Sequence, residues 1–536
     1  MAANMPGPQS SRPMVGAPQS RRFRSLRWLF GLSILGRAFL FLGALIVLLC
    51  LYFAEENWRG RRAWENCRRE LQARGVELDW QKFIPPPVPD DQNFAMTPFL
   101  APLFDFNPKP RETPWRDTEG HDRAANFAAV LLPTDKSGQL PPVRFEGKMT
   151  DLEEPLSLLR KESNTSSAST AQVFSNRTEA AAALLAAVQP YQPVLDELRT
   201  ASQRPYSRFN IEYDADDPFS ILLPHYLVLH HVTRLLEIRA SAELELGKAE
   251  AAFADVKFMF YLANAAEKEP FLMGVISRSS LLERTEQIIW EGLAAHRWSE
   301  SQLAELQSVL TRFALLKDLS FCLGAERAAF GEGAFRYMRS HKNALRNWAA
   351  SENAPISYLL AGPQGWLYQE QVHYHCLYDQ RVLPGYDAQT GLLHPHVIDE
   401  NRRALERTLS SNSLWHHVGF SRLMLRTMPK LFQRAAIGQT RLDQIIVACG
   451  LERYRQENGN YPEKLDSLSP LFIDKVPLDI CDGQPLRYRL LPNGQFLLYG
   501  VGWNEKDDGG VVVMNKDESD TDPERGDWVW PAYPLK

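Results

Sequence analysis

A histidine-rich stretch is the part of the sequence closest to a metal-binding pattern. His373 and His375 flank Tyr374 and are followed by Cys376. Alternate residues of a β-strand share a face, so a His-x-His pair on a strand can bind one metal ion, as in a metal-dependent hydrolase. The surrounding sequence QEQVHYHCLYDQRVLPGYD is rich in aromatic residues and has no well-spaced carboxylate. Buried, hydrogen-bonded histidines are therefore the favoured interpretation.

Other histidines and charged residues have simpler interpretations. The remaining grouped histidines are His225, His230, His231, His394, His396, His416 and His417. His230 and His231 follow His225 at spacings of five and six in an apolar helical pattern, which predicts core or partly exposed positions without a shared face. Glu326, Arg327 and Glu332 lie in a helical pattern beside Gly331 and Gly333, and we expect them to be solvated helix charges.

Motifs and composition argue against several functional classes. The sequence has no nucleophile elbow, P-loop, dinucleotide fingerprint or HExxH motif, so no enzyme class is indicated. The net charge is −5, and no basic stripe for nucleic acid occurs beyond the N-terminal region. The six cysteines include no CxxC pair. Cys449 and Cys481 could pair in an oxidising compartment, although two buried free thiols are the favoured interpretation.

The N-terminal region has the pattern of a membrane anchor. Residues 1–27 are polar, proline-rich and basic, which predicts a disordered tail. The apolar run of residues 28–53 is interrupted only by Arg37, which can extend toward the headgroups. This run is too long for a signal peptide, and no small-x-small cleavage site follows it. We predict an uncleaved transmembrane helix over 28–53 and a charged juxtamembrane helix over 54–83.

The orientation of this anchor follows from the chain around it. Five arginines precede the span and five follow it closely. The rule that basic residues flank the cytoplasmic side therefore barely distinguishes the two orientations. A short tail before the span and a large region after it favour a cytoplasmic N-terminus. We therefore expect a single-pass protein of the inner membrane whose bulk is periplasmic or otherwise extracytoplasmic.

The middle of the chain changes from proline-rich to helical. Residues 84–189 are predicted to be a proline-rich wrapping segment and a polar loop, because proline at this density forbids helix interiors and central strands. The aromatic residues interleaved with the prolines indicate packing along a groove of the next domain. These residues are Phe94, Phe99, Phe104 and Phe106. Residues 190–438 are predicted to be an all-helical domain that binds partner proteins.

One helical hairpin in this domain resembles a tetratricopeptide unit. Residues 222–246 and 249–266 have apolar residues at three- and four-residue spacing, and Gly247 stands between them. A regular 34-residue repeat does not follow, so no array is predicted. Further along, Ser299 and Gln302 have the spacing of a capping box and predict another helix start.

The last hundred residues, 439–536, have an α+β pattern. A helix over 439–458 should stop at Asn458-Gly459, because glycine accepts the left-handed conformation that ends helices. Two alternating runs around Pro492-Asn493-Gly494 predict a hairpin. An acidic loop, DESDTDPERGD, precedes a last predicted strand at 528–530. The expected product is a small antiparallel sheet beside a helix.

This C-terminal order resembles the periplasmic domain of type II secretion major pseudopilins. The segments that carry the resemblance are LERYRQENGNYP, DGQPLRYR, LLYGVGWNEKDDGG and GDWVW. In that family the loop after the last hairpin holds a calcium ion. The resemblance implies that Asn504, Asp507, Asp508 and Asp527 donate oxygen ligands, which calcium prefers. A cation would also relieve repulsion among the three carboxylates. A solvated acidic loop is the alternative.

The chain departs from the pseudopilin pattern in two respects. The cleavage motif that precedes a pseudopilin helix is absent near the anchor, and the pilin-like unit follows a helical domain. The wider chain resembles a family of membrane-anchored bacterial proteins that carry the same tail and have no assigned activity. We therefore expect a non-enzymatic envelope protein, scaffolding or secretion-related, with a helical interaction domain. The alternative is the hydrolase near His373 and His375.

Overall fold

The described part of the chain is mainly helical. The computed structural model describes residues 33–107, 115–133, 147–162, 174–215, 217–341, 362–410, 418–516 and 521–531, together with positions 343 and 346. Its α-helices are α1 Ile34–Ala73, α2 Thr118–Ala125, α3 Glu153–Glu162, α4 Arg177–Ala187, α5 Gln192–Ala201, α6 Pro224–Glu245, α7 Ala249–Asn264, α8 Leu272–Ala294, α9 Glu300–Leu310, α10 Leu315–Ala328, α11 Phe335–Ser340, α12 Gly365–Leu377, α13 Pro395–Ser410, α14 Gly419–Leu425 and α15 Met428–Asn458. The π-helical segments Ala329–Ala334 and Tyr378–Val382 follow α10 and α12.

The predicted anchor and the predicted juxtamembrane helix form one continuous helix, α1, whose second half is called the juxtamembrane half below. It has 40 residues, is apolar through its first half, and is long and apolar enough to cross a membrane. The apolar side chains of this half are exposed to the surroundings, as a lipid-facing surface requires. The predicted continuation beyond residue 53 is confirmed up to Ala73. The predicted tail, 1–27, and the first residues of the predicted span, 28–32, lie outside the described residues.

The second half of α1 packs along α12. Asn57 accepts a hydrogen bond from the amide of Gly365 at 2.8 Å, and Arg74 forms an ion pair with Asp379 at 2.5 Å just beyond the end of α12. The contact residues increase in number along both helices, from Asn57 to Arg74 and from Gly365 to Asp379, so the two helices run parallel. A Cβ atom on Gly60 would lie 2.2 Å from the carbonyl oxygen of Gly365. Glycine at this crossing therefore permits the close approach of the two backbones.

The predicted helical hairpin is confirmed as α6 and α7. Gly247 lies between them with φ +74°, a conformation that glycine adopts without strain. The alanines at the contact, Ala240 and Ala252, are fully buried and let the two helices approach closely. Helix α8 packs against both. The capping box of Ser299 and Gln302 is also present at the start of α9.

The proline-rich segment wraps along the core as expected, but the region predicted to be irregular also contains helices. Phe94, Phe99 and Phe104 are buried, and Phe106 is half-buried. Helices α2, α3 and α4 all lie within residues 84–189, where the sequence predicted only a wrapping segment and a polar loop. Asn176 caps α4 by accepting from the amide of Glu179 at 2.9 Å. The alanine-rich sequence after this cap favours a helix. The prediction for the whole of residues 84–189 was wrong here because it followed the prolines at the start of the segment.

The C-terminal region has the predicted helix and hairpin. Helix α15 ends at Gly459 with φ +81°. Strands β1 Arg487–Leu490, β2 Phe496–Gly500 and β5 Trp528–Trp530 form an antiparallel sheet in the order β1-β2-β5. Strands β3 Val512–Met514 and β4 Thr521–Gly526 form a second antiparallel pair. The acidic loop DESDTDPERGD is therefore partly a strand, because TDPERG pairs with β3.

A single buried cluster joins the helical and C-terminal regions. It extends from Phe94 to Trp530, and α15 packs against α8, α9 and α10. The predicted domain boundary between residues 438 and 439 falls inside α15. Helix α15 therefore contributes to both parts of the core.

Candidate functional site

The predicted metal-binding histidines lie on helix α12 instead of a strand. Residues two apart on a helix point to different sides, so His373 and His375 do not share a face. His375 is buried, its Nδ1 accepts from Arg327 Nε at 3.0 Å, and its Nε2 lies 3.2 Å from the carbonyl oxygen of Gly331. Burial and the nearby Arg327 guanidinium lower the pKa of His375 to about 3. Both ring nitrogens are engaged in protein hydrogen bonds, which leaves none for a metal.

Three of the other histidines also have protein partners. His225 is buried and lies 3.0 Å from Glu269, and His230 lies 3.1 Å from the hydroxyl of Ser277. His396 is exposed and contacts Glu505 at 2.9 Å. The pair His416 and His417 lies outside the described residues. Within the described ranges, no group of three or more histidine, cysteine or acidic residues is arranged to hold a metal.

The residues of the predicted calcium loop are neighbours joined by hydrogen bonds. Asp527 is buried, and its two carboxylate oxygens accept from the backbone amides of Asp508 at 3.2 Å and Gly510 at 2.6 Å. Asn504 donates from its side chain to Asp508 at 2.8 Å. Asp507 accepts from the hydroxyl of Tyr499 at 3.0 Å. The loop thus brings all four predicted residues into one region of the fold.

Hydrogen bonds within the protein already engage these four side chains. The oxygens of Asp527 face backbone donors, which a positive ion would have to replace. Asp507 accepts from Tyr499, and Asn504 donates to Asp508. The donor set has the oxygen chemistry that calcium prefers. The calcium site stays a prediction.

A cavity beside the juxtamembrane half of α1 is the most site-like feature of the described structure. Its volume is about 840 Å³, within the range of small-molecule sites. Residues of α1, of the segment 77–82, of the loop 213–223, and of α8, α10 and the π-helical segment 329–334 line it. Arg68 lies on the α1 side, roughly 22 Å along the helix from the end of the predicted span at 1.5 Å per residue. Its aromatic walls include Trp80, Tyr213, Phe271 and Phe330.

The aromatic walls are held in place by one another. Tyr213 stacks on Phe271 with ring centroids 5.9 Å apart, and Trp80 packs against Phe271 at 5.7 Å. The indole of Trp80 donates to the carbonyl of Tyr213 at 3.2 Å. Tyr213 is buried, and its hydroxyl has no hydrogen-bond partner among the described residues. The cavity therefore has rigid apolar faces and a phenol with unused hydrogen-bonding capacity in its wall.

Glu326 is the main titratable group of the cavity. One of its carboxylate oxygens accepts from the backbone amide of Leu272 at 3.2 Å, at the start of α8. Burial raises the pKa of Glu326 to about 7, so its charge changes near neutral pH. The prediction that Glu326, Arg327 and Glu332 are solvated helix charges is wrong for Arg327, which is 2% exposed and pairs with Asp379 at 2.6 Å. Glu326 and Glu332 are partly buried and line the cavity.

The charged lining of the cavity has an excess of carboxylates. The charged residues that line it are Glu77, Asp79, Asp214, Glu326 and Glu332 together with Arg68, Lys82 and Arg336. Lys82 is neutralised by an ion pair with Glu77 at 2.5 Å. Arg68 and Arg336 are exposed. Local sequence patterns do not indicate this site, because the lining residues come from segments far apart in the chain.

Cys449 and Cys481 are both buried free thiols, in agreement with the favoured interpretation.

Comparison of the chain with protein-family models, with curated proteins and with solved structures found no match. The resemblance to pseudopilins therefore stays a prediction that rests on the quoted sequence segments.

Proposed function

We propose that this protein is a non-enzymatic, single-pass envelope protein that holds a partner protein at the membrane through the cavity beside α1. The observation that carries the proposal is the position of an 840 Å³ cavity against the helix that continues from the apolar segment. Because α1 lines the cavity and also contains the candidate span, a partner bound there would be held at a fixed distance from the membrane. The role would be scaffolding or secretion-related.

The cavity favours a basic side chain of the partner. Its lining has more carboxylates than cations, and its walls are aromatic. A lysine or arginine side chain can place its aliphatic stem against Trp80 and Phe271 while its charge approaches Glu326. The charge of Glu326 is not already neutralised by an ion pair with a described residue. A buried ion pair with the partner would therefore satisfy this carboxylate.

The topology and the C-terminal module complete the proposal. We propose a cytoplasmic N-terminus in the inner membrane and a periplasmic folded region, supported by the large folded region that follows the candidate span. Protease treatment of spheroplasts should then digest the region after α1, and full protection of that region would contradict the orientation. The C-terminal unit is proposed to be pilin-like, on the sequence segments that resemble pseudopilins.

The cavity can be tested with a small cation. The purified full chain in detergent would be titrated with n-butylammonium and, separately, with n-butyrate at the same ionic strength. We expect the thermal unfolding midpoint to rise with n-butylammonium only, because binding to the folded state stabilises it. Glu326→Gln keeps the acceptor for the Leu272 amide but removes the charge. We expect about tenfold weaker binding, equivalent to about 1.4 kcal/mol.

Glu457→Gln is the matched control, because Glu457 is exposed near the end of α15. This variant should bind n-butylammonium as the unmodified chain does. Equal responses to the two probes, or an unchanged affinity in Glu326→Gln, would overturn the assignment of a basic side chain to the cavity.

A further inference from the structure

Each of the two packed helices α1 and α12 carries a cysteine near their interface, Cys67 and Cys376. Cys67 packs against the small buried cluster of Trp64 and Leu71, in which Tyr368 and Val372 of α12 also take part. Cys376 follows Val372 by one helical turn, so it lies on the same side of α12. Because the helices run parallel, the residue that follows Val372 on this face comes next to the turn of α1 that contains Cys67.

Contacts on both sides of the cysteines fix this register. On the N-terminal side, Trp64 stacks on His375 with ring centroids 5.2 Å apart. On the C-terminal side, Arg74 pairs with Asp379 at 2.5 Å. Cys67 lies between Trp64 and Arg74 on one helix, and Cys376 lies between His375 and Asp379 on the other. The two thiols therefore occupy the same layer of the helix pair.

The electrostatic surroundings of the thiols agree with this placement. Partial burial raises the pKa of Cys67 to about 11, and the neighbouring thiol of Cys376 adds to the rise. Burial also raises the pKa of Cys376. The charges of Glu70, Arg327 and Asp379 act on both thiols. Two groups that share these neighbours lie close to one another.

We propose that Cys67 and Cys376 form a disulfide that fastens the anchor helix to the folded region. The bond forms by thiol–disulfide exchange with an oxidised dithiol or a small-molecule disulfide. One cysteine loses its proton and attacks the external disulfide, which releases one thiol; the second cysteine, as a thiolate, then displaces the other. Two protons and two electrons pass from the cysteines to the external disulfide, which becomes two thiols.

The consequence is a covalent link across a large part of the chain. The bond would close a loop of roughly 310 residues, and long loops gain most from such a link in the chain-entropy description. Cys67 is half-buried and Cys376 is exposed, whereas Cys322, Cys449 and Cys481 are buried. The exchange should be slow at neutral pH because both thiol pKa values are raised, and faster in alkali.

The test is oxidation of the purified full chain in detergent with glutathione disulfide at about pH 9, where exchange with high-pKa thiols is faster. After acid quenching, denaturation and alkylation, the oxidised chain should have two fewer free thiols than the six in the sequence. Tryptic digestion without reductant should yield a species that joins peptides 63–68 and 347–381. Reductant should separate them.

Cysteine-to-serine variants show which two thiols form the bond. Cys67→Ser and Cys376→Ser should each abolish the linked peptide, whereas Cys50→Ser, in the exposed apolar half of α1, should retain it. The oxidised chain should also unfold at a higher temperature than oxidised Cys67→Ser, and the difference should vanish under reductant. Six free thiols after oxidation, or links that involve Cys50 or join two chains, would overturn the proposal.

Formation of the bond in cells rests on the proposed export of the folded region to an oxidising compartment. The purified chain tests the cysteine pair without that assumption. A linked peptide in the purified chain and two free thiols in protein alkylated in intact cells would contradict the exported topology while supporting the pair.

Discussion

The indole of Trp64 stacks on the imidazole of His375, with ring centroids 5.2 Å apart and an angle of 23° between the planes. This contact joins the juxtamembrane half of α1 to α12. It occupies the face of the histidine ring while Arg327 and the carbonyl of Gly331 occupy its two nitrogens. A residue that the sequence offers as a metal ligand thus serves to attach helix α1 to the folded region.

Trp64→Ala should weaken that attachment. Trp64 is 5% exposed, and removing a buried tryptophan side chain typically costs about 3–5 kcal/mol. The expected result is a lower midpoint of urea unfolding and faster proteolysis between α1 and the rest of the chain. Trp58→Ala is the control, since Trp58 is 60% exposed on the same helix and should change the midpoint little. Equal effects of the two variants would show that the α1–α12 interface does not contribute to stability.

Glu286 should make the protein less stable as the pH rises. It is buried in α8, neither of its carboxylate oxygens has a hydrogen-bond partner among the described residues, and burial raises its pKa to about 8. Arg441 opposes the rise and Glu283 adds to it. The folded state keeps a proton that the unfolded chain releases near pH 4.5, so the stability from this group is present at low pH and is lost between about pH 4.5 and 8.

Glu286→Gln removes this titration. We expect the slope of unfolding free energy against pH to flatten within that window, measured by urea unfolding at several pH values. Glu457→Gln, which removes an exposed carboxylate, should leave the slope unchanged. If the slopes of Glu286→Gln and the unmodified chain coincide, the carboxyl is not protonated in the folded protein.

Binding of n-butylammonium should depend on pH through Glu326. Burial raises the pKa of this carboxyl to about 7, and only its ionised form attracts a cation. The affinity should therefore fall as the pH is lowered through about 7, and Glu326→Gln should show a weak affinity that changes little over the same range. Titration calorimetry at several pH values measures both. A pH-independent affinity in the unmodified chain would contradict a role for Glu326.

Asp527 should stabilise the C-terminal loop through its two backbone hydrogen bonds. Asp527→Ala leaves the amides of Asp508 and Gly510 without their acceptor, at a cost of about 1–3 kcal/mol. Asp466→Ala, at an exposed carboxylate in the same region, is the control.

Thermal unfolding of the full chain with calcium and with chelator tests whether the C-terminal loop binds calcium. A midpoint raised by calcium in the unmodified chain and unaffected in Asp527→Ala would support the predicted calcium site.

The parts of this protein that follow from local sequence were predictable. The apolar run and the charged continuation of α1, the stop of α15 at Gly459, the hairpin around Asn493-Gly494 and the capping box at Ser299 each depend on residues close together in the chain. Helix length, left-handed glycine and side-chain caps are local properties, so one sequence window contains the whole signal.

Tertiary structure alone decided the candidate sites. Glu326 and Arg327 have ordinary helix sequences, yet one lines a cavity and the other is buried between His375 and Asp379. Their environments come from elements hundreds of residues apart, among them the juxtamembrane half of α1. Desolvation, and with it the pKa of a carboxyl, depends on that packing and leaves no trace in the local pattern. For the same reason the layer shared by Cys67 and Cys376 becomes visible only when α1 lies along α12.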